Sequence, residues 1–220
     1  LFAAEVVSLS GLEPLATGRV RSVYAFPGQP DLLIKVATLQ NPQHDYSLGK
    51  RLVRHLFPDT IHRNTLKEIE CELMAALKLG EDIPGSPLAR CLGVVQTDRG
   101  PGVAVERISG PDGNLAPHLQ QLRKSGGMND AVLEDLNVFA RKLFDLQIVA
   151  RDIHNKNIVY GHRGGVKAFF LIDGYGERNV VPLRSLSRSL NDRSLHKRLD
   201  LIAQKTRLAW HSDRCAFSLR

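Results

Sequence analysis

The start of the chain carries short apolar-rich runs bounded by turn residues, the pattern of strands. Leu15–Val20 and Ser22–Phe26 flank Arg21, the turn Pro27-Gly28-Gln29-Pro30 follows, and Leu32-Leu33-Ile34-Lys35-Val36 reads as a third strand. This predicts an antiparallel three-strand meander. Residues 38–61 are polar and helix-tolerant, punctuated by Pro42 and Pro58. From about His62 the pattern changes: Leu66, Ile69, Leu73 and Leu77 fall at helical spacing, and Gly80 supplies the stop. Two further strands are expected at Leu88–Gln96 and Gly102–Ile108, joined by a Gly/Pro turn at 98–102.

Ser109-Gly110-Pro111-Asp112-Gly113 is the best linker in the chain and divides it into an N-terminal β-rich region, 1–108, and a C-terminal region, 109–220. Beyond it the pattern is mostly helical. Leu115–Lys124 and Ala131–Ile148 carry the 3.6 period through Leu136, Phe139, Leu143 and Leu146. A small hairpin interrupts, Ile158–Tyr160 and Val166–Ile172 around a turn at Gly161–Gly165, and Pro182 to Trp210 reads as two helices. Five strands with one helix, followed by a helical half with one hairpin, is an α+β order. A cleft between the two parts is the expected place for a ligand.

With 43% hydrophobic and 24% charged residues in 220, the chain has an ordinary globular balance. No apolar run approaches the ~20 residues of a spanning helix. The start, LFAAEVVSLSGLEPL, lacks a basic stretch followed by an apolar one, so no secretory leader is expected. The chain begins at Leu1, not Met, which leaves its N-terminus open. Cys71, Cys91 and Cys215 are odd in number and far apart, which argues against a disulfide framework or zinc site and for a reducing cytoplasm. The net charge of +7 is concentrated: residues 178–220 hold ten Lys or Arg against three Asp. Such a block can meet an acidic partner, nucleic acid or lipid, or simply form a solvated helix face.

Several residues could carry chemistry. Asp152 and Asn157 lie five apart on a loop that leaves a long helix and opens a strand. There the Asp can orient an attacking hydroxyl and accept its proton, and the Asn amide oxygen can ligate a metal. A polar turn would use the same residue types for its own backbone bonds. Asp173 ends the apolar run Phe169-Phe170-Leu171-Ile172 and is followed by Gly174-Tyr175-Gly176, a good setting for a magnesium ligand or for a plain Asp-Gly turn. Lys35 interrupts an apolar strand, so its ammonium must find a partner or reach water. It could reach ATP phosphates if a helix Glu fixes it. Glu72 is the preferred partner because of its spacing to Leu79, with Glu68 on the same face in reserve. Gly18, between two strands, lets backbone N–H groups approach phosphate, with Arg19 or Arg21 adding charge there or standing exposed. Gly18, Lys35, Glu72, Asp152, Asn157 and Asp173 follow the order of the kinase parts.

The segments LATGRVRSVYAFPG, LLIKV, EIECELMAALKLG, GVVQTDRGPGVAVERISGPDG, NKNIVYG and LIDGYGERNVVPL span most of the chain and resemble the protein kinase-like superfamily, and within it the bacterial YrbL family of PhoP regulatory network proteins. The resemblance implies a two-lobed fold and a site for ATP and Mg. Lys35 would bind phosphate, Glu72 would steady it, Asp152 would be the catalytic base, and Asn157 and Asp173 would hold the metal. The stretch from Glu106 to Ile108 would touch adenine through backbone groups. Departures from the kinase pattern are clear. The glycine loop has one Gly, Ala150 replaces the usual His, and His154 stands two residues after the Asp in place of Lys. That Asp-x-His is similar to phosphotransferases acting on small hydroxyl compounds. No Ala-Pro-Glu follows Asp173, and only 47 residues remain after it, few for docking a protein substrate. Three functions follow as expectations: phosphotransfer from ATP to an unknown hydroxyl acceptor, small molecule or protein; a pseudokinase-type regulatory module that binds nucleotide or protein without turnover; or a nucleic-acid binder using the basic C-terminal segment. Only Trp210 and Phe217 could stack on bases in that segment, which weakens the third.

Overall fold

A computed structural model describes residues 6–18, 21–37, 63–150, 152–176 and 187–220. Arg19, Val20, the 38–62 stretch, Arg151 and 177–186 lie outside the described residues, and with them the expectations for the end of the first strand, for 38–61 and for a helix beginning at Pro182. The protein is α+β, with a five-stranded antiparallel sheet and, among the described residues, four α-helices. None of the helices is long and apolar enough to cross a membrane. The chain divides into two compact units, Leu1–Leu66 with Arg90–Arg107, and Lys67–Ala89 with Ile108–Arg220.

The first unit is the sheet. Its strands are β1 (Ala16–Thr17), β2 (Arg21–Phe26), β3 (Gln29–Ala37), β4 (Cys91–Thr97) and β5 (Gly100–Glu106), ordered β1-β2-β3-β5-β4. The expected three-strand meander is present, and the loops are tighter than read. Pro27-Gly28 alone reverses β2 into β3, with Gly28 at φ 72°, and Asp98-Arg99 alone joins β4 to β5. One sheet face buries Tyr24, Ile34, Val36, Val95 and Ala104 together with Leu9 from the N-terminal segment. The Asp98 carboxylate pins that segment, accepting from Leu9 N at 2.8 Å, Ser10 N at 3.0 Å and Ser10 Oγ at 2.6 Å. These bonds hold its carboxyl below the usual range, the Ser10 hydroxyl contributing most.

The second unit contains α1 (Arg63–Leu79, from Lys67), α2 (Leu119–Lys124), α3 (Asp130–Asp145), the hairpin β6 (Ile158–Arg163) and β7 (Val166–Leu171), α4 (Arg188–Thr206), and a second hairpin, β8 (Leu208–His211) and β9 (Ala216–Leu219). α3 begins where Asn129 Oδ1 accepts from Val132 N at 2.9 Å and buries Leu136, Phe139 and Leu143 as its period requires. α2 starts later than expected, because Pro117 lacks an N–H and His118 serves as the N-cap. The end of the chain corrects the sequence expectation. Leu208–Trp210, read as the close of a helix, belongs to the strand Leu208–His211, which pairs with Ala216–Leu219. Asn137 of α3 holds this hairpin, donating to Phe217 O at 3.2 Å and accepting from Phe217 N at 2.6 Å.

α1 has the expected ends but not the face its leucines suggest. Leu66, Leu73 and Leu77 are exposed, while Glu68, Cys71 and Ala75 form the inward stripe. Burial pushes the Cys71 thiol up to about 11, so it stays protonated.

Candidate functional site

In the sheet unit, Lys35 sits in register with Val23 of β2 and Val103 of β5. Its neighbours Ile34 and Val36 point into the core, so alternation sends Lys35 to the opposite face. Leu33, two residues earlier, shares that face and is in register with Ala25 and Val105. Half-buried Lys35 therefore shares a sheet face with Val23, Ala25, Leu33, Val103 and Val105. Such a surface can take a flat ring next to a negative charge.

The neighbouring expectations fare less simply. Gly18 N–H donates to Arg21 O at 2.8 Å and closes the β1–β2 turn. Glu106 ends β5 with its N–H on Arg90 O at 2.9 Å, while its carboxylate accepts from Arg90 N at 3.1 Å and faces the Arg90 guanidinium at 3.5 Å. Arg107 N–H donates to Asp31 O at 2.8 Å. Within the second unit, Ile108 is buried and its carbonyl accepts from Ala116 N at 3.0 Å. The N–H groups of Glu106 and Arg107 are thus already engaged by carbonyls.

The second unit brings three expected residues into one place. Asp152, Asn157 and Asp173 lie on two segments laced by backbone bonds: Gly176 N to Val149 O at 2.7 Å, Asp152 N to Gly174 O at 3.1 Å, and Ile172 N to Asn157 O at 2.9 Å. Asn157 Nδ2 leans on Asp152 O at 3.5 Å, which turns its amide oxygen the other way. Asp173 Oδ1 accepts from Gly174 N at 2.7 Å. Two buried side chains anchor the lacing: Ile153 in the main core, and Tyr175, whose hydroxyl donates to Ala89 O at 3.1 Å. The sequence places Asp152 outward before the inward Ile153, so the first carboxylate is exposed and the second half-buried.

His154, outside the expected site set, belongs to this cluster. Burial lowers its pKa, and the charges of Asp152 and Asp173 pull it back up, so both carboxylates act on the ring. Its Nδ1 accepts from Lys156 N at 3.3 Å, as a neutral imidazole can. Its signal in the sequence is its position between Asp152 and Asn157.

On α1, Glu68 is buried, Glu72 half-buried, and Glu70 exposed and bonded to Lys67 at 2.6 Å. Both candidate partners of Lys35 thus lie on or beside the inward face of the helix.

Asn157 and Asp173 offer hard oxygen donors, the kind Mg²⁺ takes. Among the described residues no three His, Cys, Asp or Glu side chains gather as a metal cage. Mg²⁺ commonly uses one or two protein oxygens and completes its shell with phosphate and water, so the pair suits that ion.

No curated protein matches the chain. The family model described as PhoP regulatory network protein YrbL matches residues 7–207. That match takes in both units and each of the residues above, and the chain belongs to the YrbL family.

Proposed function

We propose that the protein is an ATP- and Mg-dependent phosphotransferase of kinase-like, two-lobed type, passing the γ-phosphoryl group of ATP to a hydroxyl acceptor. The reading rests on the lacing that gathers Asp152, Asn157 and Asp173. The sheet unit supplies Lys35 on an apolar face, fitted to pair with phosphate oxygens while a base lies against the valines. The second unit supplies an exposed carboxylate, Asp152, which orients the acceptor hydroxyl and takes its proton. The hydroxyl oxygen bonds to the γ-phosphorus as the bond to the bridging oxygen breaks, and ADP leaves with its electron pair. Mg²⁺ held by Asn157 and Asp173 would neutralise charge on the phosphates. His154, neutral beside both carboxylates, adds no positive charge that would compete for them.

One observation favours a second reading, a regulatory module that binds nucleotide without turnover. Gly18 N–H is spent on its own turn, and the glycine loop has no second glycine to grip phosphate. The family description names a regulatory network, which suits either reading. Thermal unfolding with Mg·ATP, followed by a turnover assay, separates them. At ATP about a hundredfold over Kd, a rise of roughly 5–10 °C in Tm is expected, and Lys35→Met should abolish it. Asp152→Ala should keep the rise and lose ATP turnover at least ~100-fold. A shift without turnover in the unmodified protein selects the regulatory reading, and no shift removes both.

A further inference from the structure

Away from these residues, the second unit contains a cavity of about 220 Å³ between the loop at 84–87, the outer side of α3 and the β6–β7 hairpin. We propose that it is a binding site for a small anionic molecule, a compact apolar body bearing one carboxylate or phosphate.

The walls are built rather than incidental. Arg163 is buried, with its guanidinium 4.4 Å over the Phe170 ring, and it donates to Ser86 O at 2.7 Å and Leu88 O at 2.6 Å. Lys142 Nζ donates to Gly85 O at 2.7 Å. These bonds fix the loop that forms one wall. Phe139 and Phe169, both fully buried, form the floor, and Val138 and Val166 stand exposed among the lining residues. The apolar part is therefore preformed.

Charge sets the ligand's sign. Lys142, Lys167 and Arg163 line the cavity against a single carboxylate, Asp135, and that carboxylate is engaged by the Tyr160 hydroxyl at 2.5 Å. An ammonium has three donors, so the bond from Lys142 to Gly85 leaves two. Lys167, also in the lining, lies 4.6 Å over the Tyr160 ring, which holds its charge beside the hairpin. Size sets the class. At ~30 Å³ per water the cavity equals roughly seven waters, below the volume of drug-sized pockets, so it suits a molecule of about ten heavy atoms.

The test uses the full chain without nucleotide, so its failure leaves the phosphotransfer proposal standing. Phenyl phosphate, benzoate and benzylamine are titrated, with ¹H–¹⁵N NMR as the readout. The anionic probes should shift the amides of Gly85, Ser86, Val138, Lys142, Val166 and Lys167 saturably, and benzylamine should not. The tighter of the two anions identifies phosphate or carboxylate as the natural headgroup. Lys167→Glu, on an exposed side chain, should weaken binding about tenfold. Val138→Trp should block the cavity while the rest of the spectrum stays in place. Equal binding of benzylamine, non-saturating shifts, or an unchanged Kd in Lys167→Glu would overturn the site.

Discussion

Gly28 in the sheet unit and Gly174 in the second unit both adopt a left-handed backbone, at φ 72° and 86°, yet they do different jobs. A Cβ on Gly28 would meet nothing within 4 Å. That glycine only reverses the chain, and the residues it positions, Val23 and Lys35 among them, owe their places to register between consecutive strands. A Cβ on Gly174 would lie 2.5 Å from the Asp152 carbonyl oxygen and 3.1 Å from Asn157 Nδ2. There the missing side chain lets two distant segments touch, and that touch gathers the two carboxylates and the amide. One region is ordered by the register of paired strands. The other is ordered by a close approach of backbone to backbone.

The contrast predicts unequal costs for the same substitution. Gly174→Ala combines backbone strain with overlap against a carbonyl, so it should cost on the order of 3 kcal/mol. Under the proposed phosphotransfer, turnover should fall with it, because Asp152 and Asp173 would be pushed apart. Gly28→Ala carries the strain alone and should cost about 1 kcal/mol. Urea unfolding of the two variants measures both. Equal costs would mean that the close approach at Gly174 is relaxed at little expense, and the distinction between the regions would fail.

Much of the sheet unit was readable because short apolar runs and a Pro-Gly turn state their meaning locally. The nearness of Asp152, Asn157 and Asp173 was readable for a related reason: Asp152 lies on the loop between α3 and β6, Asn157 directly precedes β6 and Asp173 closely follows β7, places where a polar residue is conspicuous. Other features depend on packing that no local pattern carries. The leucines of α1 mark a helix correctly but not its inward face, which consists of Glu68, Cys71 and Ala75. The β8–β9 hairpin is four residues a side and joined by Ser212–Cys215, with Cys215 in an unusual left-handed conformation at φ 48°. Its pairing to α3 runs through Asn137, a polar residue in an apolar helical stripe. The engagement of Gly18 N–H by Arg21 is likewise invisible until the turn is seen.

The face of α1 sharpens the contrast at intermediate size, since here a local pattern misleads inside the second unit. Leu73→Gln should change stability by no more than ~0.5 kcal/mol, because the side chain is exposed. Ala75→Leu should cost about 2 kcal/mol by overpacking the fully buried side of the helix. A reversed ranking in chemical denaturation would restore the leucines as core residues.

The smallest effect tests whether polar contacts also order the second unit away from the candidate site. His118 and Gln121 cap α2 reciprocally: Gln121 N–H donates to His118 Nδ1 at 3.1 Å, and His118 N–H donates to Gln121 Oε1 at 2.9 Å. Only an unprotonated Nδ1 can accept that bond. Burial first, then the charges of Lys156 and Lys124, hold the His118 pKa below its ordinary 6.5. With the folded value depressed, the unfolded chain takes up its proton first as pH falls. The cap's contribution is therefore fully present above the unfolded pKa and is lost as pH drops through the folded one. His118→Asn keeps an N-cap acceptor and does not titrate. Between about pH 7.5 and about pH 5.5 the unmodified protein should lose more stability than this variant, by no more than the ~1 kcal/mol of an N-cap. Parallel pH profiles for the two would show that protonation of this cap carries no weight, and that α2 is held by its other contacts, the burial of Leu119 and the bond from Arg123 to Thr206 O among them.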